Sequence, residues 1–150
     1  MSHSVLPDRR AAAGLRGWHL TAAAAVFAVW LQLWGLYRVL GPSQRPWLPF
    51  ADKIEHAVGF ALPVLLILLT IALRGRAGWH WPSPRTWILV VAIFAAHGIA
   101  SEAIQHVWYR YRTGDPLDVV ADWVGIAAGI LLFRLIYLRR SRDVESLVTS

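Results

Sequence analysis

The sequence predicts an all-α, polytopic membrane protein built as a four-transmembrane-helix bundle, and three observations carry that prediction. Of 150 residues, 57% are hydrophobic and only 16% are charged, a balance too apolar for a soluble domain of this size. Four nearly uncharged runs recur along the chain, each long enough to cross about 30 Å of hydrocarbon. Nine tryptophans complete the pattern, with Trp18, Trp34, Trp79, Trp87 and Trp108 near the ends of those runs, at the depth where an amphipathic indole meets lipid headgroups.

The first span covers Trp18 to Leu40. Arg9, Arg10 and Arg16 precede it as in a signal peptide, but its apolar core is too long and no A-x-A pattern follows, so it reads as an uncleaved anchor. The proline-rich loop GPSQRPWLPF leads to a second span, Ala57 to Leu73. Its helix is expected to start at Asp52 as N-cap, with Pro63 a candidate kink. The stretch RGRAGWHWPSPR, dense in glycine, proline and arginine, is a loop before the third span, Thr86 to Val107. After YRYRTGDP the fourth span runs from Leu117 to Leu138 and stops at Arg139, Arg140 and Arg142. The chain thus divides into a basic N-terminal segment (1–17), one membrane domain (18–138) and a short polar tail (139–150).

Charge sets the expected direction. The net charge of +6 comes from arginines at span ends, not from a basic stripe among aromatics, so nucleic acid is not an expected partner. Ten of the fifteen basic residues lie in the N-terminal segment, the loop between the second and third spans, and the C-terminal end. By the excess of lysine and arginine on cytoplasmic loops, those faces and both termini are expected in the cytoplasm, the protein crossing the cytoplasmic membrane several times. The opposite face holds six of the nine acidic residues. The absence of cysteine excludes disulfides, thiolate metal sites and cysteine nucleophiles.

That acidic face carries the candidate site. An ionisable side chain deep in a bilayer costs roughly 2.5–3.5 kcal/mol, so each one needs a partner, a cavity or shallow depth. At the start of the second helix Asp52 and His56 are four residues apart and share a face, which lets Asp52 bond His56; Lys53, the only lysine, sits beside them. The third span carries a polar stripe of His97, Ser101, Glu102, Gln105 and His106 in its outer half. For His97 a tie between helices is the expected role, whereas a carboxylate such as Glu102 is an expensive way to make one. On the fourth segment Asp115, Asp118, Asp122, Gly125 and Gly129 fall on one helical face, acidic above and glycine-lined below. The glycines form a small-xxx-small surface on which another helix can approach closely. Arg112, with Arg110 in reserve, is the expected counter-charge.

Two of these motifs resemble the VanZ-like family of small four-span bacterial membrane proteins. One is D-K-x-x-H with an aromatic four residues on: Asp52, Lys53, His56, Phe60. The other is E-x-x-Q followed by R-x-x-D-x-x-D-x-x-x-N-x-x-G-x-x-x-G, here Glu102, Gln105, Arg112, Asp115, Asp118, Gly125 and Gly129, with Asp122 where the family usually has asparagine. The resemblance spans Asp52 to Gly129. It implies a place in the bacterial cell envelope, since the namesake is associated with low-level resistance to teicoplanin, and it implies no settled chemistry. A carboxylate at Asp122 in place of an amide suits a cation or a proton.

Three functions compete on the sequence. The first is an outward-facing site for the polar headgroup of a cell-wall or lipid precursor, an anion being held by Lys53 and Arg112. The second is a membrane-embedded hydrolase or transferase in which Asp52, His56, Glu102 and Asp118 gather a divalent metal such as zinc, manganese or magnesium, or act as general acid and base. The third is a structural assembly partner whose polar residues only hold helices together. Membrane lipid is the one partner common to all three, and the sequence names no cofactor.

Overall fold

A computed structural model describes residues 9–38, 50–74, 79–109 and 115–148, with side chains for 17–38, 50–74, 79–109 and 115–142. It is all-helical over the described residues: α1 (Arg9–Tyr37), α2 (Ala51–Leu73), α3 (Pro84–Trp108) and α4 (Pro116–Val148). Within them four segments, Gly17–Tyr37, Ala51–Leu73, Pro84–Trp108 and Pro116–Arg142, are long and apolar enough to cross a membrane. The protein is a four-helix multi-pass membrane bundle. Its outward surface is apolar, with Leu20, Val26, Ile88, Ile93, Val107 and Trp108 all exposed, the inverse of a soluble fold and the surface that lipid requires.

Several boundaries differ from the sequence expectation. Asp52 is not the N-cap of α2. Phe50 holds that position in a left-handed conformation (φ 62°) and its side chain makes no capping bond, while Asp52 lies in the first turn, where its charge still complements the helix dipole. Capping chemistry appears at the starts of α3 and α4. Ser83 Oγ accepts from Thr86 N at 3.3 Å ahead of α3, and Asp115 Oδ1 accepts from Leu117 N at 2.9 Å ahead of α4. Asp115 therefore caps α4 with one oxygen, while its other oxygen shares Lys53 with Asp118. The polar tail expected after Leu138 continues α4 as far as Val148, since its arginine, glutamate and leucine are good helix formers. Pro63 lies within α2, fully buried.

Sequential neighbours do not dictate the packing. α2 packs most extensively on α4 and next on α1, while α3 leans on α4 and meets α2 and α1 only marginally. The central pair, α2 and α4, runs parallel, because residues climbing one helix meet residues climbing the other. A Cβ on Gly125 would collide with the backbone of Ala57, and one on Gly129 would stand 2.6 Å from Ala61 O. The small-xxx-small face thus brings backbone against backbone. Beyond it Phe60, Val64, Leu68 and Phe133 are fully buried, and Phe60 meets Phe94 of α3 edge-on with centroids 6.2 Å apart. The end of the bundle away from the acidic residues closes with Trp79, Trp81, Trp87, Phe133 and Tyr137 in mutual ring contact. There Arg140 lies over Trp79 and Arg74 over Trp18, 5.3 and 5.7 Å from the ring centroids.

The glycine contact gives a direct test. Gly125→Ala has no room for its methyl and is expected to destabilise the bundle by about 3 kcal/mol. Gly17→Ala, with nothing within 4 Å of its Cβ, is expected to be neutral or to stabilise by about 0.5–1 kcal/mol. Denaturation in detergent micelles, followed by circular dichroism, measures both.

Candidate functional site

The acidic face assembles around the α2–α4 contact. Moving into the bundle, Lys53 faces Asp118, His56 faces Asp122, Ala57 faces Gly125 and Ala61 faces Gly129. The two glycines fix the register, and the polar residues one to three turns above them are set opposite one another as a consequence. α3 runs the other way, so Glu102 enters from the end of its helix. Counting from the helix ends, His56, Asp122 and Glu102 each sit about 8–9 Å inside, and so converge at one depth.

The outer layer is a lysine ringed by carboxylates. Lys53 Nζ donates to Asp115 Oδ2 at 2.7 Å, to Asp118 Oδ1 at 2.8 Å and to Asp52 Oδ2 at 3.3 Å. Asp118 is largely buried, whereas Asp52 stands at the rim with about half its side chain exposed. Asp115 is held below the usual carboxylate range, first by the hydrogen bond from Lys53 and then by the one from Leu117 N.

The inner layer is His56, Asp122 and Glu102, all buried. His56 Nδ1 lies 2.9 Å from Asp122 Oδ1, within hydrogen-bond distance. The same nitrogen is 3.9 Å from Glu102 Oε1, and His56 Nε2 is 4.0 Å from Asp118 Oδ2. The expected bond from Asp52 to His56 is not formed, because Asp52 turns to Lys53 and Asp122 reaches the imidazole from across the helix pair. Glu102 Oε2 accepts from Asp115 N at 2.9 Å, which ties α3 to the start of α4. Glu102 Oε1 and Asp122 Oδ2 are buried with no hydrogen-bond partner among the described residues, an expensive condition for carboxylate oxygens. Asp122 is fully enclosed, and its Oδ2 occupies the space that a side chain at position 98 would fill: a Cβ on Gly98 would lie 2.8 Å from it.

Other residues of the α3 stripe have structural work. Gln105 Nε2 donates to Leu36 O at 3.1 Å and Tyr109 Oη to Tyr37 O at 2.7 Å, so α3 is tied to backbone carbonyls at the end of α1. His97 Nε2 lies 3.3 Å from Tyr37 Oη, in line with a tie between helices. Ser101 bonds Gly98 O at 2.8 Å. His106 is exposed and takes no part in the stripe. Arg112 and Arg110 lie outside the described residues. Tyr37, Tyr109 and Gly98 were not singled out by the sequence reading. Of these only Gly98 carried a signal, being one turn before Glu102 on the same face.

A cavity between α1 and α2 borders this site. A groove of about 660 Å³ runs between α1 and α2, from Phe27, Leu31 and Leu62 at its lipid-facing side to His56 at its inner end. Arg38 and Glu55, ion-paired at 3.0 Å, stand at its polar end, and Gln32, which also lines it, is buried with its amide nitrogen lacking a hydrogen-bond partner among the described residues.

The layout makes the site an acid-rich one. Asp52, Glu102, Asp115, Asp118 and Asp122 surround one lysine and one histidine, and the ammonium of Lys53 is already engaged by three carboxylates. Replacing it is therefore expected to hurt. Lys53→Met leaves Asp118 buried without its cation and should cost about 1–2 kcal/mol, part of which returns in Lys53→Met/Asp118→Leu. The sign of the pH effect follows from Asp115, whose depressed value means that the interaction is present above the ordinary carboxylate range and is lost as pH falls through the folded value. In Lys53→Met, carboxyl-carbon NMR should find Asp115 titrating at higher pH than in the wild type.

No protein-family model matches the chain, and no solved structure matches it. Over 127 residues the chain is 28% identical to the uncharacterized protein C11E3.10 of Schizosaccharomyces pombe (strain 972 / ATCC 24843), a similarity that covers 85% of this chain and 74% of that protein.

Proposed function

We propose that this chain is a VanZ-like protein of the cytoplasmic membrane, with both termini in the cytoplasm, that binds a lipid or lipid-linked precursor: tail in the groove between α1 and α2, polar headgroup at the acidic site. The observation that carries the reading is that groove, which joins lipid-facing side chains to His56 within one cavity. An acyl or isoprenoid chain leaving the bilayer sideways would need such a path, and a headgroup at its end would arrive beside Arg38, Glu55 and His56. The family reading rests on the two motifs, whose residues Asp52, Lys53, His56, Glu102, Asp115 and Asp118 lie together. Orientation rests on the arginines at the aromatic end of the bundle, where Arg74 and Arg140 pack on indoles. The likeness to a fission yeast protein favours a headgroup common to many membranes over a peptide of the bacterial wall. A link to glycopeptide resistance rests on the family resemblance alone.

A second reading, a hydrolase or transferase, is favoured by His56 and Asp122. An imidazole held at 2.9 Å by a fully buried carboxylate is oriented as a general base is, with Glu102 alongside as an acid. In that case His56→Gln abolishes turnover of the bound lipid without reducing its binding.

Filling the groove tests the first reading. Ala28→Trp or Gly59→Leu, both at groove-lining positions, should lower the lipid retained by the purified protein by about tenfold, as read by native mass spectrometry from nanodiscs, with helical content unchanged. An unaltered lipid load in both variants would count decisively against it.

A further inference from the structure

We infer that His56, Glu102 and Asp122 form a binding site for one divalent cation of the zinc or manganese class. The site does not require a lipid in the groove, although His56 also lines it. The site differs from the metal set read off the sequence, Asp52, His56, Glu102 and Asp118, in that Asp122 takes the place of Asp52 and Asp118, both of which are held by Lys53 instead.

Three properties of the inner layer support it. The first is spacing. One ligating atom from each of the three residues lies within 4.8 Å of the others, His56 Nδ1 being 2.9 Å from Asp122 Oδ1 and 3.9 Å from Glu102 Oε1. Donors around a tetrahedral zinc at 2.0–2.2 Å stand roughly 3.4 Å apart, so only sub-ångström to ångström shifts convert the cluster into a ligand set. The second is an unsatisfied donor. Glu102 is more than nine-tenths buried, and its Oε1 has no hydrogen-bond partner among the described residues while it faces the imidazole nitrogen. A cation between the two replaces a weak 3.9 Å approach with two bonds. The third is the surrounding shell. Glu102 is oriented by Asp115 N on its other oxygen, and His56 Nε2 faces Asp118 at 4.0 Å, so a shift of about 1 Å would complete the carboxylate–histidine hydrogen bond that orients a metal-bound imidazole.

Charge points the same way. Two carboxylates share this enclosed pocket with a third close by and one imidazole between them, and Lys53 is spent on the outer layer. A doubly charged ion resolves that repulsion where a single proton on His56 does so only in part. One nitrogen and two carboxylate oxygens suit zinc or manganese better than a soft metal. Three protein ligands also leave at least one coordination position for water or a headgroup oxygen.

The test uses the full chain in nanodiscs, stripped of metal and then titrated separately with Zn²⁺ and Mn²⁺, with bound metal quantified by elemental mass spectrometry. One equivalent is expected for the wild type. Glu102→Gln and Asp122→Asn should each weaken binding at least about tenfold, and His106→Asn, an exposed histidine on the same helix, should leave it unchanged. Because a carboxylate variant can fail to fold, nitrogen-15 NMR of the histidines in the wild type supplies a second reading: His56 Nδ1 should shift on metal addition and His106 should not. Less than a tenth of an equivalent bound to the wild type, an unmoved His56 signal, or equal loss in His106→Asn would overturn the assignment.

Discussion

The bundle depends on backbone touching backbone where α4 crosses α2. Gly125 and Gly129 lie on the carbonyls of Ala57 and Ala61, and no residue with a side chain fits at either place. Within a bilayer, where lipid and leucine are equally apolar, close packing of this kind is one of the few forces that bring helices together. It also explains why α2 pairs with α4 and not with α3, its neighbour in the chain. α3 and α1 then attach to a pair already in register.

What the contact delivers is an alignment of charges. With the glycines in place, the turns above them put an ammonium against aspartates and an imidazole against a fully enclosed carboxylate. Each of these groups would be costly alone at such depth, and each is tolerable because a partner is fixed opposite it. The two layers divide the work. Lys53 gathers the rim carboxylates and ties α4 to α2, whereas His56 stands inside between two acids with oxygens left over.

Much of this was legible in the sequence, and the limits of legibility have physical causes. The four spans follow from hydropathy, and the glycine face follows from four-residue spacing. The residues of the site were visible because a carboxylate inside a membrane segment is seldom placed there without reason. The partners were not. Spacing along one helix suggested that Asp52 bonds His56, but a tertiary partner, Asp122, offers the imidazole a buried and therefore stronger bond. At the helix starts Phe50 takes the N-cap ahead of Asp52, and Asp115 caps α4 through a local bond to Leu117 N. The groove between α1 and α2 was illegible, since it depends on the angle at which two uniformly apolar helices meet. So were the ties from Gln105 and Tyr109 to the end of α1, which use backbone carbonyls that carry no sequence signal.

The sideways opening of that groove changes the meaning of affinity for any occupant. A molecule reaching His56 between α1 and α2 arrives from the surrounding leaflet, so its chemical potential is set by its mole fraction among neighbouring lipids and not by its concentration in water. Its tail exchanges one apolar environment for another on entry, and little free energy is gained from that transfer. Selectivity must therefore come from the few polar contacts at the inner end, with abundant lipids competing for the same passage.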